Sequence, residues 1–197
     1  VILVDEKGNV LDGDDLLYIL AFSNPNRTGP WSGVVGTHMS NLGLEQGIQK
    51  LGYKFIRADV GDKYVSEMLT KKGWMLGGET SGHIICKDLA STGDGTVAAL
   101  KVISSLLLLE KRPSEVLSNY NKIPQINKAV EVTNKDIIND KELKSFIKEI
   151  ESDLTVGRIL VRPSGTEPKI RIMVEAPEMK VAEKFAKDIE KIIRSKV

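Results

Sequence analysis

The stretch "GVVGTHMSNLGLEQGIQKLGYKFIRADV", residues 33–60, decides the fold. Residues 33–37 form a short apolar run that predicts a buried strand, and residues 54–60 predict a second strand. Between the two strands, apolar residues recur at helical spacing and predict a helix over 41–53. These residues are Leu42, Leu44, Ile48 and Leu51. A strand, a helix and a second strand in this order are typical of an α/β unit with a largely parallel sheet.

The same alternation extends to both sides of this stretch. Residues 1–10 predict a strand followed by a turn, and Asp12 or Asp14 is expected to cap the helix that follows. After residue 60 the pattern predicts a helix over 64–73, a strand over 83–87 and a long helix over 95–112. The long helix is so apolar that we expect its burial on more than one side. The sequence therefore predicts a mixed, mostly parallel α/β domain over 11–122.

The pattern changes near "NYNKIPQINK" (119–128), where Pro124 and its polar neighbours predict a linker. Beyond it the order of predicted elements is strand, helix, two strands and a final helix. In the final helix, apolar residues recur on one face, at Val181, Phe185, Ile189, Ile192 and Ile193. The sequence therefore predicts a second, small α+β domain over 123–197.

Composition narrows the class of protein. Lys and Arg number 28 against 27 Asp and Glu, and 5% of residues are aromatic, which weighs against nucleic-acid binding. No apolar run reaches the length of a membrane-spanning helix, so no membrane association is expected. The single cysteine, Cys86, excludes an internal disulfide framework and is expected to be a small buried apolar residue in a reducing cytoplasm.

The loop "RPSGTEPKIR" (162–171) lies between two predicted strands and is suited to holding an anion. Gly165 lets the backbone turn so that successive N–H groups can face one point, and Ser164 and Thr166 add hydroxyl donors. Arg162 and Arg171 can each present a two-pronged guanidinium to phosphate oxygens. The sequence favours a phosphate site here. The alternative is a hairpin whose arginines are only solvated.

The loop "GETSGH" (78–83) carries a second candidate site. Glu79, Ser81 and His83 offer a carboxylate, a hydroxyl and an imidazole, a mixture that can satisfy the vicinal hydroxyls of a sugar or an ammonium group. A polar loop in which Glu79 caps a neighbouring segment explains the same residues equally well.

Two loops after predicted strands provide further candidates. In "VGDKYV" (60–65) Asp62 is expected to be a helix N-cap, and Lys63 is expected to add a positive charge to a cleft. "GTHMSN" (36–41) joins a strand to a helix, where α/β sheets bind ligands, so its polar residues are candidates for binding or for capping. These are Thr37, Ser40 and Asn41; His38 alone indicates little.

The acidic segments "DGDD" (12–15) and "TGDG" (92–95) lack the spacing of a calcium loop, and each precedes a predicted helix. Helix capping explains both better than metal binding. The sequence therefore predicts no metal site on this chain.

With these motifs in this order, the chain resembles the α-D-phosphohexomutases. "GETSGH" and "RPSGTEPKIR" on either side of the domain change carry the resemblance, which covers essentially the whole chain. "GTHMSNLGLE", "VGDKYV" and "TGDGTVAAL" are most similar to the bacterial members that act on glucosamine phosphates.

The resemblance implies a cytoplasmic isomerase with four domains around one cleft, which interconverts glucosamine 6-phosphate and glucosamine 1-phosphate on the way to UDP-N-acetylglucosamine and peptidoglycan. A phosphoserine transfers the phosphoryl group through a bisphosphorylated sugar, and a loop outside this sequence holds magnesium. Glu79, Ser81, His83 and Lys63 would bind the sugar. Lys63 stands where the family usually has arginine. The phosphate that is not transferred would be held by Arg162, Ser164, Gly165, Thr166 and Arg171.

The resemblance also implies that this chain is the third domain and the TBP-like fourth domain of such an enzyme. Residues 1–10 would be a remnant strand of the second domain. The sequence contains no Thr-Ala-Ser-His-Asn-Pro-like segment and no Asp-Gly-Asp-x-Asp-Arg metal loop. We therefore expect no catalytic residue on this chain and no mutase activity from it alone.

The expected partners are a hexosamine phosphate and the absent domains of the same protein, and self-association as a homodimer is a hypothesis. The alternatives are a phosphomannomutase/phosphoglucomutase and a non-catalytic module that binds sugar phosphates.

Overall fold

The computed structural model describes residues 1–197, which divide into two units, Val1–Lys122 and Ile123–Val197. The elements of the first unit are, in chain order, β1 (Leu3–Val4), β2 (Val10–Leu11), α1 (Gly13–Ser23), β3 (Gly33–Thr37), α2 (Leu42–Lys50), β4 (Lys54–Ala58), α3 (Asp62–Lys72), β5 (Leu76–Gly78), β6 (Ile84–Cys86), α4 (Gly95–Leu109) and α5 (Pro113–Leu117). A short 3₁₀ helix covers Gly29–Trp31.

The first unit is built on a four-stranded sheet with the strand order β4-β3-β5-β6. Strand β3 pairs in parallel with β4 and with β5, while β6 pairs antiparallel to β5. The sheet is therefore mixed and mostly parallel, which confirms the predicted fold class. Strands β1 and β2 form a separate antiparallel hairpin.

Helix α1 is buried on all sides in the core of the first unit. Its residues from Leu16 to Ala21 are at most 3% exposed, because α2, α4, α5 and β5 all pack against it. A helix that is apolar around its whole circumference is stable only in such a position.

Strand β5 was not predicted from the sequence. Its three residues, Leu-Gly-Gly, lack the β-branched and aromatic side chains that mark a strand. Glycine is required by packing at Gly77, where a Cβ atom would lie 2.9 Å from the carbonyl oxygen of Val35. Because β5 exists, the segment 79–83 is the connection of the β5–β6 hairpin rather than a loop between a helix and a strand.

Helix caps were predicted for α1 to α4, and three of these four predictions are confirmed. Asp12 caps α1, Asn41 caps α2 and Asp94 caps α4, each through a side-chain oxygen that accepts backbone N–H groups. The prediction that Asp62 caps α3 is wrong. The N-cap is Gly61, with φ 131°, a conformation that other residues rarely adopt, and Asp62 lies in the first turn.

The expectation that α4 is buried on more than one side is also wrong. Only Ala98, Val102 and Ser105 are buried, while Leu107 and Leu108 are 72% and 85% exposed. The helix packs with one face on α1 and β6, and no other element of the unit packs broadly against the opposite face.

Cys86 is 3% exposed and unpaired, as predicted, and burial raises the pKa of its thiol to about 11. None of the helices has the length and apolar character needed to cross a membrane.

The second unit consists of β7 (Gln125–Glu131), α6 (Lys141–Asp153), β8 (Arg158–Pro163), β9 (Lys169–Glu175) and α7 (Met179–Arg194), with a 3₁₀ helix over Lys135–Asn139. Its three strands are antiparallel in the order β7-β9-β8, so the unit is α+β, as predicted. Helix α7 buries Ala182, Ala186, Ile189 and Ile193 completely, and the predicted residues Val181, Phe185 and Ile192 are partly buried at the edge of the same core.

The exposure of one face of α4 predicts that two substitutions on this helix change the free energy of unfolding by very different amounts. Val102→Ala should lower the free energy of unfolding by about 2 kcal/mol, since it removes two buried methyl groups and leaves a cavity. Leu108→Gln should change it by less than about 0.5 kcal/mol, because the side chain is exposed. Both tryptophans, Trp31 and Trp74, lie in the first unit, so fluorescence-detected urea unfolding reports on it. A large loss from Leu108→Gln would contradict the exposure of this face.

Candidate functional site

The candidate site of the first unit lies at the carboxyl edge of its sheet. Strands β3, β4 and β5 are parallel, so the segments that follow them begin at the same edge. His38, Asp59 and Glu79 are the first residues after these strands. Ligands of open α/β sheets usually bind at this edge.

Glu79 joins two of the predicted motifs. Its Oε1 accepts a hydrogen bond of 2.9 Å from the backbone N–H of Gly61, which belongs to "VGDKYV". The half-buried carboxylate is therefore fixed at one oxygen, while no residue of the chain donates to Oε2. A fixed carboxylate with one open oxygen is able to accept a hydroxyl or an ammonium group.

Ser81 and His83 are exposed and contact each other in the same β5–β6 connection. The hydroxyl of Ser81 lies 3.1 Å from Nδ1 of His83. Lys63 lies in the first turn of α3, where its side chain is 75% exposed and its Nζ is 3.9 Å from Glu67. The side chain of Lys63 therefore has no strong internal partner and can turn toward a ligand.

The N-terminus of α1 packs directly against the β5–β6 connection. The N–H of Gly13 donates to the carbonyl oxygen of Thr80 over 3.0 Å. A Cβ atom at Gly13 would lie 1.9 Å from the carbonyl oxygen of Glu79 and 2.8 Å from the nitrogen of Gly82. Only glycine allows this approach, so the backbone of Glu79 is held by the start of α1.

Asp14 was considered a helix cap, but the structure gives it a different role. The residue is fully buried, and its Oδ1 and Oδ2 accept hydrogen bonds from Thr80 Oγ1 (3.1 Å) and the N–H of Asn41 (2.8 Å). Burial is the main reason why the pKa of Asp14 is raised to about 6. Asp14 thus connects "GTHMSN" with "GETSGH", and its place in a segment that looks like a cap hid this role in the sequence.

The polar residues of "GTHMSN" are used inside the protein. Thr37, Ser40 and Asn41 are at most 5% exposed. Ser40 Oγ accepts from the N–H of Thr37, Thr37 Oγ1 accepts from the N–H of Met39, and Asn41 caps α2. These three side chains shape the loop. His38 is half-buried, with its Nε2 3.5 Å from Asp59.

The acidic segment "DGDD" is also structural. Asp12 and Asp15 form ion pairs of 2.7 Å with Lys122, and Asp15 accepts the hydroxyl of Tyr120. Nowhere in the chain do three or more His, Cys, Asp or Glu side chains lie close enough together to hold a metal ion.

The candidate phosphate loop of the second unit connects β8 to β9. Arg162 and Arg171 occupy directly opposite positions of this antiparallel pair. Like charges in such positions destabilise a sheet, so the pair is unfavourable unless an anion lies between the guanidinium groups.

Arg162 is the residue of this pair whose side chain most clearly lacks a partner. Its Nε is the one buried side-chain nitrogen or oxygen atom of the chain without a hydrogen-bond partner. Burial, and then the charge of Arg171, lower the pKa of the Arg162 guanidinium. A buried, unpaired donor costs free energy, and an anion would satisfy it.

The residues at the tip of the loop differ in their availability. Ser164 is buried and its Oγ accepts a bond of 3.4 Å from the N–H of Glu167. Gly165 and Thr166 are exposed, and their N–H groups make no hydrogen bond within the chain. Gly165 does not adopt a positive φ, so the prediction that its conformational freedom makes the turn is wrong. A Cβ atom there would meet nothing within 4 Å, and the space above Gly165 is open.

Sequence reasoning missed three charged residues in or against this loop. Lys135 Nζ donates to the carbonyl oxygen of Ser164 over 2.6 Å, and the Glu167 carboxylate contacts both Lys169 and Arg171. Glu167 and Lys169 were visible in the motif, but Lys135 is distant in the sequence and gave no signal.

Comparison with protein-family models gives two matches. Residues 12–123 match the model described as phosphoglucomutase/phosphomannomutase, alpha/beta/alpha domain III. Residues 123–192 match the model described as phosphoglucomutase/phosphomannomutase, C-terminal domain.

Among known proteins, the chain is similar to phosphoglucosamine mutases. It is 41% identical to that of Cellvibrio japonicus over 197 residues, covering 99% of this chain and 44% of the relative. It is 45% identical to that of Alkalilimnicola ehrlichii, covering 98% of this chain and 44% of the relative. The chain therefore spans less than half the length of these relatives.

Among solved structures, the chain resembles N-acetylphosphoglucosamine mutase of Aspergillus fumigatus in complex with GlcNAc-6P and magnesium. The TM-score is 0.83 at 21% identity, over 98% of this chain and 49% of the other. A putative phosphomannomutase from Thermus thermophilus gives a TM-score of 0.67 at 18% identity, over 98% of this chain and 43% of the other. At these identities the likeness shows the fold alone.

The buried Asp14 predicts a specific dependence of stability on pH. Its folded-state pKa is about 6 and its unfolded value is 3.8, so the unfolded chain loses the proton first as the pH rises. This group therefore stabilises the fold fully below pH 4, and that contribution is lost as the pH rises to about 6. Asp14→Asn should remove this loss, worth about 2 kcal/mol between pH 4 and 7.

The measurement is tryptophan-detected urea unfolding at pH 4 and pH 7. Asp94→Asn is the matched control, because Asp94 is an exposed N-cap and asparagine caps equally well. If Asp14→Asn shows the same change in unfolding free energy between the two pH values as the wild type, the buried carboxylate does not titrate as described.

Proposed function

The chain belongs to the phosphoglucomutase/phosphomannomutase family, and from this we propose that it supplies two substrate-binding loops of a phosphoglucosamine mutase. The reaction is the interconversion of glucosamine 6-phosphate and glucosamine 1-phosphate. Glu79, Ser81, His83 and Lys63 are the proposed sugar-binding residues. The proposed phosphate-binding residues are Arg162, Ser164, Gly165, Thr166 and Arg171.

The proposed phosphate site is supported by the arrangement of Arg162 and Arg171. Two arginines face each other across adjacent strands, and the buried Nε of Arg162 has no partner in the chain. A phosphate group would pair with both guanidiniums, satisfy this donor and accept from the open N–H groups of Gly165 and Thr166. The same phosphate would replace charge repulsion by attraction.

The proposed sugar site is supported by the contacts that position Glu79. Gly61 occupies one carboxylate oxygen, and the start of α1 fixes the backbone of the residue. A carboxylate fixed in advance loses little conformational entropy when it accepts hydroxyl groups. Ser81 and His83 are exposed and lie two and four residues after Glu79. Their hydroxyl and imidazole groups can donate or accept hydrogen bonds.

The choice of glucosamine phosphate is supported by the relatives at 41% and 45% identity, which are phosphoglucosamine mutases. The family description, which includes phosphoglucomutases and phosphomannomutases, supports another hexose phosphate as the alternative. Comparing glucosamine, glucose and mannose 6-phosphates at equal concentration separates these substrates.

Magnesium would serve the complete enzyme, but the residues of this chain do not fit a metal site. The proposed partners are a hexosamine phosphate and the further domains of such an enzyme, acting in the cytoplasm. Homodimer formation is a hypothesis that light scattering at increasing protein concentration tests.

Arg162→Gln provides the sharpest test of the phosphate loop. The substitution should weaken the binding of inorganic phosphate more than tenfold, since a hydrogen bond to a charged group is worth about 2 kcal/mol. The same variant should be at least as stable as the wild type without phosphate, because one of two facing positive charges is removed.

Binding is measured from ¹⁵N amide shifts of residues 162–171, and stability from the thermal midpoint of the apo protein. Arg194→Gln is the matched control, because Arg194 is exposed on α7 and pairs with Glu190. Equal loss of phosphate binding in both variants, or no binding by the wild type, would contradict the proposed phosphate site.

Glu79→Gln tests the sugar loop. Glutamine is of the same size and its Oε1 can still accept from Gly61, but its amide nitrogen replaces the open oxygen. Glucosamine should therefore shift the amides of residues 78–83 in the wild type and not in the variant. Binding of millimolar strength, about 4 kcal/mol, is within the range of NMR titration.

Asp59→Asn is the matched control for Glu79→Gln, because Asp59 is an exposed carboxylate at the same edge of the sheet. This variant should respond to glucosamine like the wild type. An unchanged response in Glu79→Gln would show that the carboxylate does not bind the sugar.

A further inference from the structure

Glu167 lies inside the phosphate loop and contacts two of its cations. Its Oε2 accepts from Arg171 Nη2 over 2.6 Å, and its Oε1 accepts from Lys169 Nζ over 2.8 Å. One carboxylate therefore already occupies donors that an incoming anion would use. Arg162, whose Nε has no partner, is not part of this arrangement.

The cations around the loop outnumber the carboxylates that contact them. Arg162, Arg171, Lys169 and Lys135 lie in or against the loop, and Glu167 is the one carboxylate that forms hydrogen bonds with any of them. Glu131 is the register partner of Lys169 on β7 and acts on it only through its charge. Glu167 is thus the counter-anion of the empty loop.

Glu167 is also easy to displace. Its side chain is 39% exposed and that of Arg171 is 45% exposed, and ion pairs with this exposure contribute little net free energy. The residue lies between β8 and β9 outside any helix or strand, so its side chain can rotate into water. A phosphate bound to Arg171 would repel a carboxylate that stayed beside it.

We propose that Glu167 is an internal competitor of phosphate, which leaves Arg171 when a phosphoryl group binds and thereby sets the affinity of the loop. The inference rests on the proposed function, since it requires that the loop binds phosphate. The opposite role is a Glu167 that stays in place and orients Lys169 and Arg171 toward the ligand. The two roles predict opposite effects of removing the charge.

The test compares the affinity of wild type and Glu167→Gln for inorganic phosphate and for glucosamine 6-phosphate at pH 8. Glutamine keeps the size of the side chain and removes its charge. Amide shifts of residues 162–171 give the dissociation constants. We expect Glu167→Gln to bind both ligands at least threefold more tightly.

Glu131→Gln is the matched control. It removes a carboxylate that acts on Lys169 through its charge, without breaking a hydrogen bond to Arg171. A change of less than twofold is expected for this variant. Equal tightening in both variants would mean that only the overall charge of the loop matters, and would overturn the proposal.

A second measurement follows the displacement itself. In the wild type, the carboxyl ¹³C resonance of Glu167 should shift with the same dependence on phosphate concentration as the amides of the loop. A resonance that stays constant while phosphate saturates the loop would overturn the proposal.

The outcomes also separate this inference from the proposed function. Equal or weaker phosphate binding by Glu167→Gln, with normal binding by the wild type, overturns the competitor role and leaves the phosphate site intact. If neither protein binds phosphate, the phosphate site and the inference both fail.

Discussion

The first unit depends on the contact between the start of α1 and the β5–β6 connection. Gly13 approaches the backbone of Glu79 so closely that no other residue fits, and Asp14 beside it accepts hydrogen bonds from two separate loops. The buried helix that forms the core therefore also determines where the candidate sugar-binding carboxylate lies. Core packing and site geometry are consequences of the same few residues.

The main constraint on the second unit is electrostatic. Its candidate site needs two positive charges close together, which costs stability in a sheet when the site is empty. The cost is limited by exposing Arg171 and pairing it with Glu167, while Arg162 is partly buried and left with an unsatisfied Nε. Sites often retain such local strain, because the interaction that relieves it is the binding of the ligand.

Much of this organisation could be predicted from the sequence, because strands, helices and caps follow local patterns. The failures have physical reasons. Strand β5 is glycine-rich because its neighbours leave no room for side chains. The N-cap of α3 is Gly61, whose φ of 131° favours glycine, and its N–H donates to Glu79, a contact across 18 residues that leaves no local pattern. The sequence of α4 shows that the helix is apolar, but it does not show which faces pack against other elements. It therefore could not predict that one face is exposed. Contacts made across long sequence distances, such as Asp14 with Thr80, leave no local pattern.

The two loops also differ in how they are prepared for a ligand. One oxygen of the Glu79 carboxylate accepts from the backbone N–H of Gly61, and the packing of Gly13 fixes the backbone of Glu79. The cations of the phosphate loop are held by an exposed carboxylate, and such contacts are weak enough to exchange. For the proposed sugar and phosphate ligands both arrangements are suitable, because hydroxyl recognition depends on precise geometry, whereas charge attraction acts over several ångströms. Ligand binding at the proposed sugar loop should therefore depend on the packing of α1, and binding at the proposed phosphate loop on the balance of its charges.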